Sequence, residues 1–221
     1  MSTRHPDDEI LLAYAAGTAS HGTALLVATH ITYCPLCRGK LQAMEQVGGA
    51  LMEALEPAAV SAGARDRVMA LLDGDPRLGT SDSRPPVTAV TGRTVLPRAL
   101  REAAGSDADG LAWQPVLSGV DQVLIGKAVP GGERTRLMRI RAGRAVPRHT
   151  HRGSEMVCVI AGGFRDVLGH YGPGDVAVAD DAVDHQPVAD DDRDCICLAV
   201  TEAPVRLTGR FWRWLNPFVQ F

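Results

Sequence analysis

Charge of one sign is nearly absent from the balance of this 221-residue chain. Its 23 basic and 26 acidic side chains leave a net charge of −3, which excludes the strongly basic surface expected of a nucleic-acid binder. No apolar run approaches the ~20 residues needed to span a bilayer. The opening "MSTRHPDDEILLAY" lacks the basic-then-apolar layout of a secretory signal, and the chain reads as cytoplasmic. Cysteine is sparse and odd in number: Cys34, Cys37, Cys158, Cys195 and Cys197. A secreted disulfide scaffold uses more cysteines, in even number. In a reducing compartment, clustered cysteines bind metal or meet oxidants instead. Aromatic residues number only ten, and five of them fall in the tail "GRFWRWLNPFVQF", as core packing or as a contact with a partner or with the helical part.

What is present divides into two halves. Residues 7 to 72 carry helical patterning. "PDDEILLAYAAG" places Asp7, Asp8 and Glu9 in a first turn and Gly17 at the end. A second helix spans about His21 to His30, a third begins at "CPLC", and a fourth runs from about Ser61 to Leu72. Residues 76–95 are rich in Gly, Pro, Ser, Asp and Thr and read as a linker. From residue 96 to 221 the pattern is of short β-rich runs separated by turns, as in a sandwich or barrel. The expected architecture is multi-domain α + β: a helical bundle over 1–75, then an all-β domain.

Two constellations carry chemistry. In "HITYCPLC", His30, Cys34 and Cys37 supply three zinc-type ligands within eight residues. Pro35 suits the first turn of a helix and clashes in its interior. His30 is therefore expected at the end of helix two, with Cys34 capping helix three and Cys37 in its first turn, where a helix N-terminus favours thiolate. Structural zinc takes four ligands. His21 lies nine residues before His30, ~13 Å away along a helix, so His5 is the preferred fourth. A metal-free hairpin and a redox CxxC pair are the alternatives. The second constellation is "GRAVPRHTHRGSEMVCVIAG", followed by "YGPGDVAVADDAVDH". His149 and His151 share a strand face, Glu155 has the same parity, and His185 could meet them from across the barrel. His170 reads as a turn residue, and Arg148, Arg152 and Arg165 as solvated. Cys195 and Cys197, two apart on a strand, share a face as small buried hydrophobes or as an oxidant-sensitive pair.

These residues resemble known families. H-x3-C-x2-C between helices two and three, with His5 upstream, is similar to the zinc-binding anti-sigma domain. The second set resembles the cupin motif throughout its first half, and keeps the Pro-Gly turn and histidine of its second half. The usual final asparagine is absent, with Val188 and Ala189 standing near its place. Together the two halves resemble the ChrR-type anti-sigma factors. That resemblance implies a structural zinc at His5, His30, Cys34 and Cys37. It also implies a second divalent metal at His149, His151, Glu155 and His185: zinc first, with iron, manganese or nickel as alternatives. It further implies inhibition of an extracytoplasmic-function-type sigma factor, released by an oxidative signal such as singlet oxygen sensed through the cupin. No catalytic residue, direct nucleic-acid contact or small-molecule substrate is implied. Leu12, Val68, Met69 and Leu72 are candidates to face the sigma factor. The rival reading is a cupin dioxygenase or isomerase with a helical appendage.

Overall fold

The computed structural model describes residues 2–74, 95–126 and 132–208. The linker reading over 76–95 lies outside them except for Val95, and the aromatic tail from residue 209 lies outside entirely. Four helices come first: α1 (Asp8–Ala15), α2 (His21–Tyr33), α3 (Pro35–Glu53) and α4 (Ala64–Gly74). The Ser20 hydroxyl caps α2 by accepting from the Thr23 amide. The second helix continues to Tyr33, three residues beyond the expected end, because the proline that stops it stands at 35. Cys34 is extended (φ −108°, ψ 102°), as a residue before proline prefers, and closes α2 while opening α3. Leu11, Val27, Cys34, Cys37 and Leu41 form the small core of this half.

A fifth helix, α5 (Arg98–Ala104), and a short 3-10 turn (Ala108–Gly110) precede the β domain; neither was anticipated. α5 ends at Gly105, whose positive φ of 80° suits glycine. Among the described residues eleven strands follow: β1 (Gln114–Leu117), β2 (Val120–Ile125), β3 (Arg134–Ile140), β4 (His149–Thr150), β5 (Glu155–Ala161), β6 (Phe164–Asp166), β7 (Gly169–Tyr171), β8 (Val176–Ala179), β9 (Val188–Ala189), β10 (Cys195–Thr201) and β11 (Arg206–Leu207). An antiparallel six-stranded sheet in the order β1-β2-β3-β10-β5-β8 is accompanied by a three-stranded sheet β7-β6-β9 and a pair β11-β4.

Both faces of the large sheet are covered, and alternation along each strand assigns them. Met156, Cys158 and Ile160 on β5, with Leu198 and Val200 on β10, join Leu25 and Leu26 of α2 and Leu100 of α5 in one core. Val159 of β5 and Cys195 and Cys197 of β10 turn the other way, towards Phe164, Tyr171 and Ala189 of the small sheet. The two halves therefore share α2. One side of that helix closes the helical core and the other roofs the large sheet. Gly22 marks the closest approach: a Cβ there would stand 2.9 Å from Val200 Cγ1 and also meet Thr135 and Glu133. Glu133 accepts from the Gly22 amide at 3.0 Å and from the Ser20 hydroxyl.

Candidate metal centres

The turn between α2 and α3 builds the first centre. Pro35 occupies the first position of α3, and the Cys34 sulfur accepts from the Cys37 amide at 3.4 Å. His30, one turn earlier on α2, is fully buried. The segment before α1 brings in His5, whose Nδ1 lies 3.3 Å from Cys34 Sγ and 3.6 Å from Cys37 Sγ. One ligand atom from each of the four lies within 4.8 Å of the others. Ligand bonds of ~2.0–2.3 Å in a tetrahedron give N–S separations of about 3.5 Å, so the spacing fits zinc. His30 adds a chemical argument. Its Nδ1–H donates to the Gly174 carbonyl at 2.7 Å, while Nε2 is buried with no hydrogen-bond partner. A bare lone pair aimed into a sulfur-lined pocket needs a cation. Burial and the neighbouring Cys34 sulfur push the Cys37 thiol up to about 11. Burial thus opposes the expected helix-terminus preference for thiolate, and a bound metal would supply charge that favours deprotonation.

The β domain builds the second centre. His149 and His185 face each other through a backbone bridge, each amide donating to the other's carbonyl at 3.0 Å. His185 therefore stands directly beside His149, not across the barrel. Glu155 opens β5 with its side chain on the same side as His149 and His151, and all four are buried. His185 Nε2 lies 3.2 Å from His149 Nε2 and 3.1 Å from His151 Nε2, and Glu155 Oε2 is 3.5 Å from His151 Nε2. The His149 Nδ1–H donates to the Pro147 carbonyl at 2.7 Å, and the His185 Nδ1–H to Asp166 Oδ2 at 2.7 Å. With both rings neutral, the two Nε2 atoms are lone-pair bearers pointing at one another. That arrangement repels unless a cation sits between them. Burial, with the neighbouring imidazoles, drives His149 down to about 4 and His151 to about 3, so both rings are neutral and able to ligate. Burial pushes the Glu155 carboxyl up, another group that a metal would compensate.

Asp166 was missed by sequence reading. Burial opposes its ionised form, but hydrogen bonds from His185, Leu168 and Gly169 hold its carboxyl below the usual range. It orients His185 as carboxylates commonly orient metal-bound imidazoles. Asp175 closes the Pro-Gly turn, its amide donating to the Gly172 carbonyl at 2.9 Å. Its Oδ1 accepts from the amides of Thr3 at 2.6 Å and Arg4 at 3.1 Å, and its Oδ2 from Gly172 at 2.9 Å. The turn Gly172–Asp175 therefore touches the first centre twice, holding the segment that carries His5 and the ring of His30. No sequence signal marks these contacts, since they join residues more than 140 positions apart.

The remaining candidates fall elsewhere. His21 is exposed at the start of α2, outside both clusters. His170 lies on β7 and pairs with Asp190 at 3.0 Å. Arg148 and Arg165 pair with surface aspartates, and Arg152 is exposed. Cys195 and Cys197 are buried free thiols on one face of β10. Val188 and Ala189, near the place of the missing asparagine, form β9 and pair with Arg165 and Phe164 of β6.

The family model described as ChrR cupin-like domain matches residues 101–205. Anti-sigma-E factor ChrR of Cereibacter sphaeroides is 39% identical over 215 residues, covering 97% of this chain and 96% of its own. The chain belongs to the ChrR family. A solved structure of Rhodobacter sphaeroides SigE in complex with the anti-sigma ChrR aligns with a TM-score of 0.76 at 38% identity, over 91% of this chain and all of that one. Membership thus extends through the helical half and the β half alike, and the fold is the ChrR arrangement of N-terminal helices followed by a cupin-like domain. No helix among the described residues is long and apolar enough to cross a membrane.

Proposed function

We propose that this protein is a cytoplasmic anti-sigma factor that binds and inhibits a sigma factor of the extracytoplasmic-function group. Its helical domain, residues 1–75, is the inhibitory part, and the cupin, residues 96–221, is the part that receives an oxidative signal such as singlet oxygen. The observation that carries this reading is the end-to-end similarity to a ChrR whose structure is known with SigE. Zinc held by His5, His30, Cys34 and Cys37 shapes the inhibitory domain. A bundle with five buried core residues has little apolar burial of its own, and a metal clamp offsets the shortfall.

The binding surface lies on the outer faces of the helices. Leu12 is 55% exposed, and on α4 Val68, Met69 and Leu72 are 56%, 47% and 60% exposed. Such an apolar face on a small bundle marks a protein contact. In the cupin, His149, His151, Glu155 and His185 hold a divalent ion, zinc before iron, manganese or nickel. Such an ion would supply a Lewis-acidic centre there. The chain's own residues orient the His149 and His185 imidazoles through Pro147 and Asp166.

Co-expression of the full chain with the host's sigma factors, followed by pull-down, mass spectrometry and metal analysis, tests the reading. One sigma factor should co-purify with a chain holding zinc at the first centre. Absence of any sigma factor in the purified material would refute it, and turnover of a small molecule by the metal-loaded protein would favour the cupin-enzyme reading.

A further inference from the structure

Arg136 sits where an apolar residue would be expected. It lies on β3 in the same parity as Met138 and Ile140, which line the interior cavity. Its relative exposure is 3%. Nη2 donates to the Thr201 hydroxyl at 3.2 Å, but the buried Nε–H has no partner. A guanidinium does not deprotonate in a protein, so its charge stays. Glu155 attracts Arg136 through space but makes its ion-pair contacts with His151 and His185, and Asp166 makes its own with His185.

The cavity and its open mouth together enclose about 710 Å³ of space between atoms, part of it bulk solvent. Arg136, His149, Glu155, Asp166 and His185 supply its charged and polar wall, and Val146, Val157, Phe164 and Ala177 are among the apolar side chains that form the rest. With a divalent ion bound, the cavity holds three positive charges from the ion and Arg136, against two negative charges from Glu155 and Asp166. One positive charge remains uncompensated in a buried space, which is costly without a counter-charge.

We propose that the cupin cavity binds an organic monocarboxylate with an apolar body, its carboxylate beside Arg136 and the His149–His151–Glu155–His185 centre and its body along Val157, Phe164 and Ala177. Guanidinium and carboxylate match in geometry, and their charge-assisted bonds are the strong ones. The proposal rests on the reading of a metal at the second centre but is independent of the sigma-factor reading.

The test uses the full chain, shown by metal analysis to hold the cupin ion, in calorimetric titrations with octanoate, octanol and octylammonium. Octanoate should bind saturably, one per chain, with octanol and octylammonium at least about ten-fold weaker. Arg136→Gln, with its metal retained, should lose that preference, while Arg136→Lys should keep part of it. Hexanoate and hexadecanoate, run alongside, separate a small metabolite from a lipid-derived acid by which binds more tightly, either result supporting a carboxylate site. Octanoate binding no tighter than octanol to the metal-loaded wild type would overturn the proposal and leave the metal reading standing. Unchanged octanoate affinity in Arg136→Gln would overturn it equally. If that variant does not fold, the wild-type comparison alone decides.

Discussion

Replacing Asp175 by alanine should loosen the first centre although Asp175 touches none of its four ligand side chains. The carboxylate accepts the Thr3 and Arg4 amides at 2.6 and 3.1 Å, the Ser2 hydroxyl at 3.2 Å and the Gly172 amide at 2.9 Å. Hydrogen bonds to a charged acceptor contribute roughly 1.5–3 kcal/mol each. The set is worth about 3–5 kcal/mol and not the full sum, because Thr3 is exposed and water can take up its freed amide. Other links survive: the Val176 amide donates to the Arg4 carbonyl at 3.1 Å, the Ser2 hydroxyl to the Gly174 carbonyl at 3.1 Å, and the Arg4 guanidinium to the Leu168 carbonyl at 2.9 Å and the Tyr171 hydroxyl at 3.3 Å, so His5 is loosened and not released. Loss of an outer-shell support of this kind lowers metal affinity roughly 10–100-fold. The assay is competition of the zinc-loaded full chain with a chromogenic chelator, the cupin ion serving as internal control. The Asp175→Ala chain should surrender zinc from the first centre at 10–100-fold lower free chelator. Asp175→Asn should fall between, since its amide oxygen still accepts from Thr3 and Arg4 while its amino group opposes the Gly172 amide. Wild-type zinc retention in Asp175→Ala would refute the reasoning that the cupin turn positions His5.

Other perturbations should separate the parts. Gly22→Ala forces a methyl group against Val200 and Thr135 and should cost about 1–3 kcal/mol, read as a lower denaturant midpoint for the full chain. Cys34→Ala should remove about one zinc per chain and abolish sigma-factor capture, whereas His149→Ala should remove only the cupin ion, spare capture and blunt release by oxidant. Asp166→Asn should weaken the cupin ion roughly 10–100-fold with the first centre unaffected, measured by metal content after dialysis against chelator. Val68→Asp combined with Leu72→Asp should lose sigma-factor binding in a pull-down while keeping zinc content and melting temperature, since both side chains are exposed in the free chain.

Local chemistry was legible in the sequence, and contacts across the fold were not. Pro35 after Cys34 was enough to place a helix end, a cap and a helix start, because proline restricts its own residue and the one before it. Equal parity across "RHTHRGSE" put His149, His151 and Glu155 on one side. By contrast, α5 is seven residues long and carries too few apolar positions to show a period. Asp166 is one aspartate among many, identified only by the fold that brings it to His185. Arg136 could have been found: alternation in "RTRLMRI" groups it with Met138 and Ile140, a parity that sends a charge inward. The dual role of α2 was hidden because a helix buried on most sides shows no clean apolar stripe.

That dual role bears on how such regulators can be rebuilt. Leu25 and Leu26 belong to the core roofing the large sheet, while Val27, on the same helix, belongs to the helical core. A hybrid joined within residues 75–94, pairing this chain's first 74 residues with a relative's sensor, would keep the backbone continuous yet mismatch a buried seam at Gly22, Leu25, Leu26 and the Gly174 carbonyl. Exchange of sensors between relatives would have to carry the matching side of α2 with it. The natural unit of inheritance is then the seam together with the sensor, and because Thr3 and Arg4 also bond to Asp175 of the cupin turn, that unit reaches back to the residues before α1.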